Sequence, residues 1–324
     1  MWWAILLRMN KLNIIAFLAV LLLCSCLGER PEEEANSRLQ LDWVALDSIN
    51  GNLPEGVRVY HSRHTGANLR AWYVFVEESS PEIETRVVVS SDADGRETVS
   101  EFAGRLGAPV LINGGYFRMD LNPAKHVGLL KVNGELIHAA THSVLRGEQR
   151  FYLHRAALAL DSNDVAEIGW VSSDSDSVFF WERPIKNFPG DPGIPLNDSF
   201  RTELSSRDML GGGPQLIRDG EINLSVNEEV FFGTTIPDVH PRTAVGITAH
   251  GDLILLLVDG RQLVSRGVNL RELAEILYDL GCVDALNLDG GGSSALVVNG
   301  VLLNRPAGKT DEREVMSALA VFAK

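Results

Sequence analysis

The sequence predicts an α+β fold: a single large domain with mixed, largely antiparallel sheets, a few helices, and glycine-rich turns at strand ends that form the site. Three observations carry this. Apolar runs of strand length are joined by short polar turns of the hairpin type. Only two segments pair an amphipathic helix with a following buried strand. Glycine runs at 114–115, 211–213 and 290–292 each come just after apolar residues.

The first helix is signalled by Thr98 and Glu101 at capping-box spacing and by Gly107 as its stop. The run Ala108 to Ile112 then suits a strand buried on both faces, and it ends in Asn113-Gly114-Gly115-Tyr116-Phe117. `GLLKVNGELIH` predicts a hairpin turning at Asn133-Gly134, a pair that accepts the positive φ angles such turns need. `RAALAL` and `EIGWV` predict a second hairpin around Asp161, Ser162 and Asn163. The region Trp170 to Arg207, with `FPGDPGIP` and several serines, is expected to be a long surface loop of the kind that can cover a site. `RTAVGIT` and `LILLLVDG`, joined by `AHGD`, predict a hairpin whose second strand is long enough to be central. The second helix has Asn269 as its cap, Leu270, Leu273, Ile276, Leu277 and Leu280 on one face, and Gly281 as its stop. `VDALNL` is the buried strand after it, leading into Asp289-Gly290-Gly291-Gly292.

The amino terminus reads as a targeting segment. Lys11 supplies positive charge, and Leu12 to Leu23 is shorter than the roughly 20 apolar residues a spanning helix needs. `LCSC` resembles a bacterial lipobox, which implies residues 1–25 as a lipoprotein signal peptide, cleavage before Cys26, and lipid attachment to the Cys26 thiol. Residues 26–38 are polar and acidic and read as a tether, leaving 39–324 as the folded domain. The location expected on that basis is the bacterial cell envelope, lipid-anchored on the periplasmic or cell-surface face of a membrane. The chain carries a formal net charge of −14, which repels phosphate backbones at long range and argues against a nucleic-acid partner. Cys282 is the one cysteine of the mature domain, at the end of an apolar helix, and reads as a small core residue.

The motifs `NGGYF`, `GGGPQLIRDG`, `HPRTAVGIT`, `LLLVDGR` and `ELAEILYDLGCVDALNLDGGGSS`, in that order, resemble the phosphodiester glycosidase family. The resemblance runs from about Val57 to the end. It implies a hydrolase that cleaves a glycosyl phosphodiester of the N-acetylglucosamine-1-phosphodiester type at the anomeric carbon, releasing sugar and a phosphate monoester. A glycan or sugar phosphodiester is then the expected substrate.

Such a reaction needs an anion clamp, a carboxylate to attack or to activate water, and a sugar pocket. Phosphate leaves readily, so charge neutralisation matters more than strong acid assistance. Arg242 and Arg261 are the clamp candidates, each beside an apolar strand where a guanidinium requires a partner. Asp289 and Asp259 are the candidate catalytic carboxylates, both at the end of an apolar strand and both followed by glycine. The amides of Gly290, Gly291 and Gly292 could form an anion-binding nest, with Ser293 and Ser294 adding hydroxyls. Asn113 is a candidate donor to a sugar hydroxyl, Tyr116 a stacking wall, and His240 a donor to phosphate. Gly115, Gly212 and Thr243 join the substrate-binding set within the same motifs. No histidine or cysteine cluster has zinc spacing. These residues establish no cofactor, and a divalent cation such as calcium, held by Asp259 or Asp289 with backbone oxygens, stays open. Two other readings compete: a surface module that binds phosphorylated glycans without cleaving them, and a phosphodiesterase attacking phosphorus.

Overall fold

Antiparallel pairing organises this protein, whose structure, a computed structural model, describes residues 39–324. The signal segment, Cys26 and the tether lie outside the described residues. An eight-stranded sheet is ordered Val44–Ala45, Val57–His64, Leu69–Val76, Leu253–Val258, Arg242–Thr248, Cys282–Asn287, Gln215–Arg218, Glu221–Ile222. A five-stranded sheet is ordered Val301–Leu302, Leu296–Val298, Val110–Asn113, Ser317–Ala323, Ile83–Val89. A seven-stranded sheet runs from Arg201–Glu203 to Glu135–His138, with Arg155–Leu160 at its centre.

The expectation of largely antiparallel sheets with few helices holds, and its "mixed" element needs correction. Every registered strand pair among the described residues is antiparallel. The reason lies in how the two longer helices are used, the short turn of helix at Asp47–Asn50 apart. Val99–Leu106 links Ile83–Val89 to Val110–Asn113, and Leu270–Asp279 links Leu253–Val258 to Cys282–Asn287. Each pair of linked strands points the same way, as a helical crossover requires. In each case one antiparallel strand is inserted between them: Ser317–Ala323 in the first, Arg242–Thr248 in the second.

Both helices start as their sequences dictate. Thr98 and Glu101 form a reciprocal capping box, and so do Asn269 and Glu272, each satisfying two amides that the helix cannot pair internally. Gly107 closes the first helix in the left-handed conformation at φ 68°. The strand Leu253–Val258 shows why a continuous apolar run marks a central strand. Leu253, Leu255 and Leu257 face the central core, with Val110, Ile112, Leu158 and Leu210 from the other two sheets. Ile254, Leu256 and Val258 face the opposite layer, under Leu273, Ala274 and Leu277 of the second helix. Each buried aliphatic side chain contributes roughly 1.5–3 kcal/mol. Cys282 lies in that second layer as a buried free thiol, pushed by burial up to about 12.

The segment Trp170 to Arg207 is not one loop. The strand Ala166–Asp174 continues through it, Ser177–Trp181 pairs back, and Arg201–Glu203 follows a short 3-10 turn. The serine-rich part is a tight turn with Ser175 at φ 52°, and Val178 and Trp181 are buried in the strand beyond it. Among the described residues no helix is long and apolar enough to cross a membrane.

Candidate active site

Three backbone segments meet where the strands Val110–Asn113, Arg242–Thr248 and Cys282–Asn287 end, and one buried carboxamide holds them together. Asn113 Nδ2 donates to the carbonyl of Asp289 at 2.7 Å. Its Oδ1 accepts from Thr243 Oγ1 at 2.7 Å and from the Ala295 amide at 3.2 Å. The Asp289 amide donates to the Gly114 carbonyl at 3.1 Å. Asn113 and Thr243 are therefore fully buried fixings of the site, and their polar groups point into the protein.

The cleft they position holds ≈ 130 Å³ and brings together Asp289, Arg242, His240, Arg261 and Tyr116, with Gly290 and Gly291 on one wall and Thr235 and Ile236 on another. Asp289 reaches this cleft while packed closely by protein. Burial raises its carboxyl from 3.8 to about 6, with the Ser293 hydroxyl, the Gly290 amide and the Arg313 charge pulling the other way. The Gly290 amide donates to Asp289 Oδ1 at 3.0 Å.

Arg242 is 3 % exposed and has no carboxylate within ion-pair distance among the described residues. Backbone carbonyls hold it instead. Nε donates to Val268 at 3.0 Å, and Nη2 donates to Ile236 at 2.7 Å and to Asp238. Burial lowers its pKa to about 10, which still leaves it charged at neutral pH. A buried cation neutralised only by carbonyl dipoles is costly unless an anion completes it. His240 bridges the second arginine to the wall formed by Thr235 and Ile236: Nε2 donates to the Thr235 carbonyl at 2.8 Å, and Nδ1 accepts from Arg261 Nη2 at 3.2 Å. Burial and the two arginines lower the histidine's pKa, so it stays a neutral orienter of Arg261.

Tyr116 lines the cleft, and its hydroxyl is fixed by donating to the Gly213 carbonyl at 2.8 Å and accepting from Asn287 Nδ2 at 2.7 Å. Gly212 sits behind that wall, where a Cβ would come 2.6 Å from the Asn287 carbonyl. Gly115 is similarly closed in, since a Cβ there would collide with the Gly211 carbonyl and the His126 ring.

The glycine run after Asp289 works differently from the expected nest. The Gly290 amide is taken by the Asp289 carboxylate and the Gly291 amide by the Pro241 carbonyl at 2.9 Å. The bare α-carbons instead make room for guanidinium groups. A Cβ on Gly291, which sits at φ 65°, would come 3.2 Å from Arg261, and one on Gly292 would come 2.5 Å from Arg313. Ser293 and Ser294 are buried, and neither hydroxyl makes a hydrogen bond of ordinary geometry among the described residues.

Asp259 is the other departure. It is 1 % exposed and does not line the cleft. Its Oδ1 accepts from Asn304 Nδ2 at 3.1 Å and from the Arg305 amide at 3.3 Å, so it anchors the returning chain rather than facing Asp289. No group of three or more His, Cys, Asp or Glu side chains is arranged to hold a metal ion among the described residues.

Several contributors carry little sequence signal. Thr235 and Ile236 come from an irregular segment, and Arg313 from a charged run that reads as solvated surface. Glu229 is fully buried and holds the floor behind Tyr116, accepting from the Gln215 amide at 2.8 Å and Ser225 Oγ at 2.5 Å. Asn287, which ends its strand as Asn113 does, is the one member that pattern alone could have found.

The phosphodiester glycosidase family model matches residues 107–322. The N-acetylglucosamine-1-phosphodiester alpha-N-acetylglucosaminidase of Bos taurus is 30 % identical over 221 residues, which are 65 % of this chain and 35 % of that protein. Its Homo sapiens counterpart is 28 % identical over 221 residues, 65 % of this chain and 36 % of that protein. The chain thus spans about a third of the length of the curated relatives it matches. In three dimensions it is similar to the catalytic domain of the zebrafish enzyme of that name, which is auto-inhibited by its pro-peptide. The TM-score is 0.58 at 22 % identity, covering 88 % of this chain and 89 % of that one. A hypothetical protein from Synechocystis gives 0.59 at 18 % identity, covering 89 % and 64 %.

The raised pKa of Asp289 makes a stability prediction with a definite sign. A carboxyl whose folded pKa lies above its unfolded value stabilises most below pH 4, and that contribution is lost as pH rises through 6. Asp289→Asn, which removes the ionisable group, should therefore melt above the wild type at pH 7–8, with the gap closing toward pH 4. Thermal melts across that range check this; a gap independent of pH would show that the carboxyl is not perturbed.

Proposed function

This chain belongs to the phosphodiester glycosidase family, and from that premise we propose that it hydrolyses a glycosyl phosphodiester at the anomeric carbon, with N-acetylglucosamine 1-phosphodiesters as the substrate class. The observation that carries the reading is the pairing in one cleft of Asp289 with Arg242, a buried cation without a carboxylate partner among the described residues. The phosphodiester lies against Arg242 and Arg261, and the anomeric carbon faces Asp289. Asp289 supplies the attack, either directly or by taking a proton from water. The bond from the anomeric carbon to the phosphate oxygen breaks, and its electron pair leaves on the phosphate, whose charge the guanidinium groups balance. The leaving group needs little protonation, so one carboxylate suffices for departure. A carboxylate titrating near 6 is ionised and still basic enough to act at neutral pH. The presence of a carboxylate in the cleft also favours catalysis over a glycan-binding role without turnover.

The reading extends to location. The lipobox-like `LCSC` and the acidic stretch after it support a lipoprotein held to a bacterial membrane through Cys26 and working on envelope or neighbouring glycans.

Hydrolysis in ¹⁸O-labelled water should place solvent oxygen on the sugar, and Asp289→Asn should lower turnover by at least about 100-fold. Label on the phosphate would mean attack at phosphorus, and a wild-type rate in the variant would remove Asp289 from the chemistry. For the anchor, Cys26→Ala should release the protein from the membrane fraction or block its processing; a normally processed, membrane-bound variant would contradict lipidation there.

A further inference from the structure

Beside the Asp289 cleft lies a second one of ≈ 240 Å³; the two share Arg261, with Gly290 and Gly291 lining the first and Gly292 the second. Its charged lining is Arg261, Lys309, Arg313, Asp311 and Glu312, with Gly292 in its wall. Three cations therefore converge on one hollow of a chain whose formal net charge is −14. None of the three has an ion-pair partner among the described residues, although two carboxylates line the same hollow. Those carboxylates are drawn elsewhere. Glu312 Oε1 accepts from the Ser100 amide at 3.3 Å, and Asp311 Oδ1 lies 3.5 Å from Thr310 Oγ1.

The backbone is shaped to hold the cations there. Arg261 adopts φ 59° and Ala307 φ 48°, a region that residues with a Cβ avoid. The missing side chains of Gly291 and Gly292 admit the Arg261 and Arg313 guanidinium groups against the turn. Left-handed backbone at Arg261 and Ala307 and the bare α-carbon of Gly292 together place positive charge in the second cleft, which meets the Asp289 cleft at Arg261.

We infer that this second cleft is a subsite for another phosphate on the aglycone side of the scissile bond, so that the preferred substrate is a glycosyl phosphodiester whose leaving phosphate belongs to a chain bearing further phosphates. Arg261 stands at the junction and serves both phosphates, while Lys309 and Arg313 meet the second. Guanidinium and ammonium groups with no ion-pair partner among the described residues suit the dense charge of a phosphate, and they do so without reading the rest of the aglycone. This rests on the proposed hydrolysis for its catalytic consequence, while the binding consequence stands alone.

The test compares two substrates, N-acetylglucosamine 1-(methyl phosphate) and N-acetylglucosamine 1-(3-phosphopropyl phosphate), and two ligands, methyl phosphate and propane-1,3-diyl bisphosphate. Calorimetry at low salt should show the bisphosphate binding about tenfold more tightly than methyl phosphate, with Lys309→Glu removing the difference. Turnover should show a similar gain in kcat/KM for the phosphopropyl substrate, expressed in KM. Lys309→Glu should abolish that gain while leaving the methyl substrate unaffected. Equal affinity for the two ligands, or a preference that survives Lys309→Glu, overturns the subsite. Should neither substrate turn over while the ligand preference appears and depends on Lys309, the subsite stands and the proposed hydrolysis falls. Turnover of both substrates at equal kcat/KM with no ligand preference has the opposite meaning.

Discussion

The carboxamide of Asn113 is the constraint on which the site depends, because it fixes three chain segments that are far apart in sequence. Its nitrogen sets the backbone of Asp289, and its oxygen receives Thr243 and the Ala295 amide. The two bonds to its oxygen are buried and the one to Asp289 is partly buried, so losing the side chain leaves unsatisfied groups that cost about 1–3 kcal/mol each where they are buried. Asp289 is held at its carbonyl by Asn113 and at its amide by Gly114, which leaves its carboxylate aimed at the cleft. The five-stranded and eight-stranded sheets are pinned at the point where chemistry would take place.

Charge in the cleft follows from that placement. Desolvation raises the Asp289 carboxyl and lowers the Arg242 guanidinium, yet each keeps its ordinary charge at neutral pH. The protein stabilises Arg242 with carbonyl dipoles from the segment around Ile236 and Asp238 and from Val268, and none of these competes for an anion as a carboxylate would. On the proposed reading, a phosphodiester entering the cleft would bring the missing negative charge, and its departure as a monoester would leave the same guanidinium groups to balance the charge that develops. His240, kept neutral, orients Arg261 without adding repulsion.

Much of this was legible in the sequence wherever local chemistry decides structure. The capping boxes at Thr98 and Asn269, the Asn133-Gly134 turn and the central strand Leu253–Val258 each follow from nearest neighbours and period. Legibility failed where a distant segment decides. Asp259 and Asp289 look alike as strand-end carboxylates before glycine, and only Asn304 and Arg305, more than forty positions away, turn Asp259 inward. The three-glycine run reads as an anion nest until the Pro241 carbonyl takes one amide and Asp289 another. Ser177–Trp181 was hidden by the serines before it, because composition marked a loop where Val178 and Trp181 are in fact buried.

The central claim is that a phosphodiester occupies the cleft with its phosphate on Arg242 and its anomeric carbon at Asp289. A crystal structure of the Asp289→Asn protein soaked with N-acetylglucosamine 1-(methyl phosphate) measures this directly. The account predicts phosphate oxygens within hydrogen-bond distance of Arg242 and Arg261, and the anomeric carbon about 3–3.5 Å from the residue 289 side chain or from a water that it holds. A sugar ring bound with its anomeric carbon turned away from residue 289, or a phosphate seated without either arginine, would contradict it.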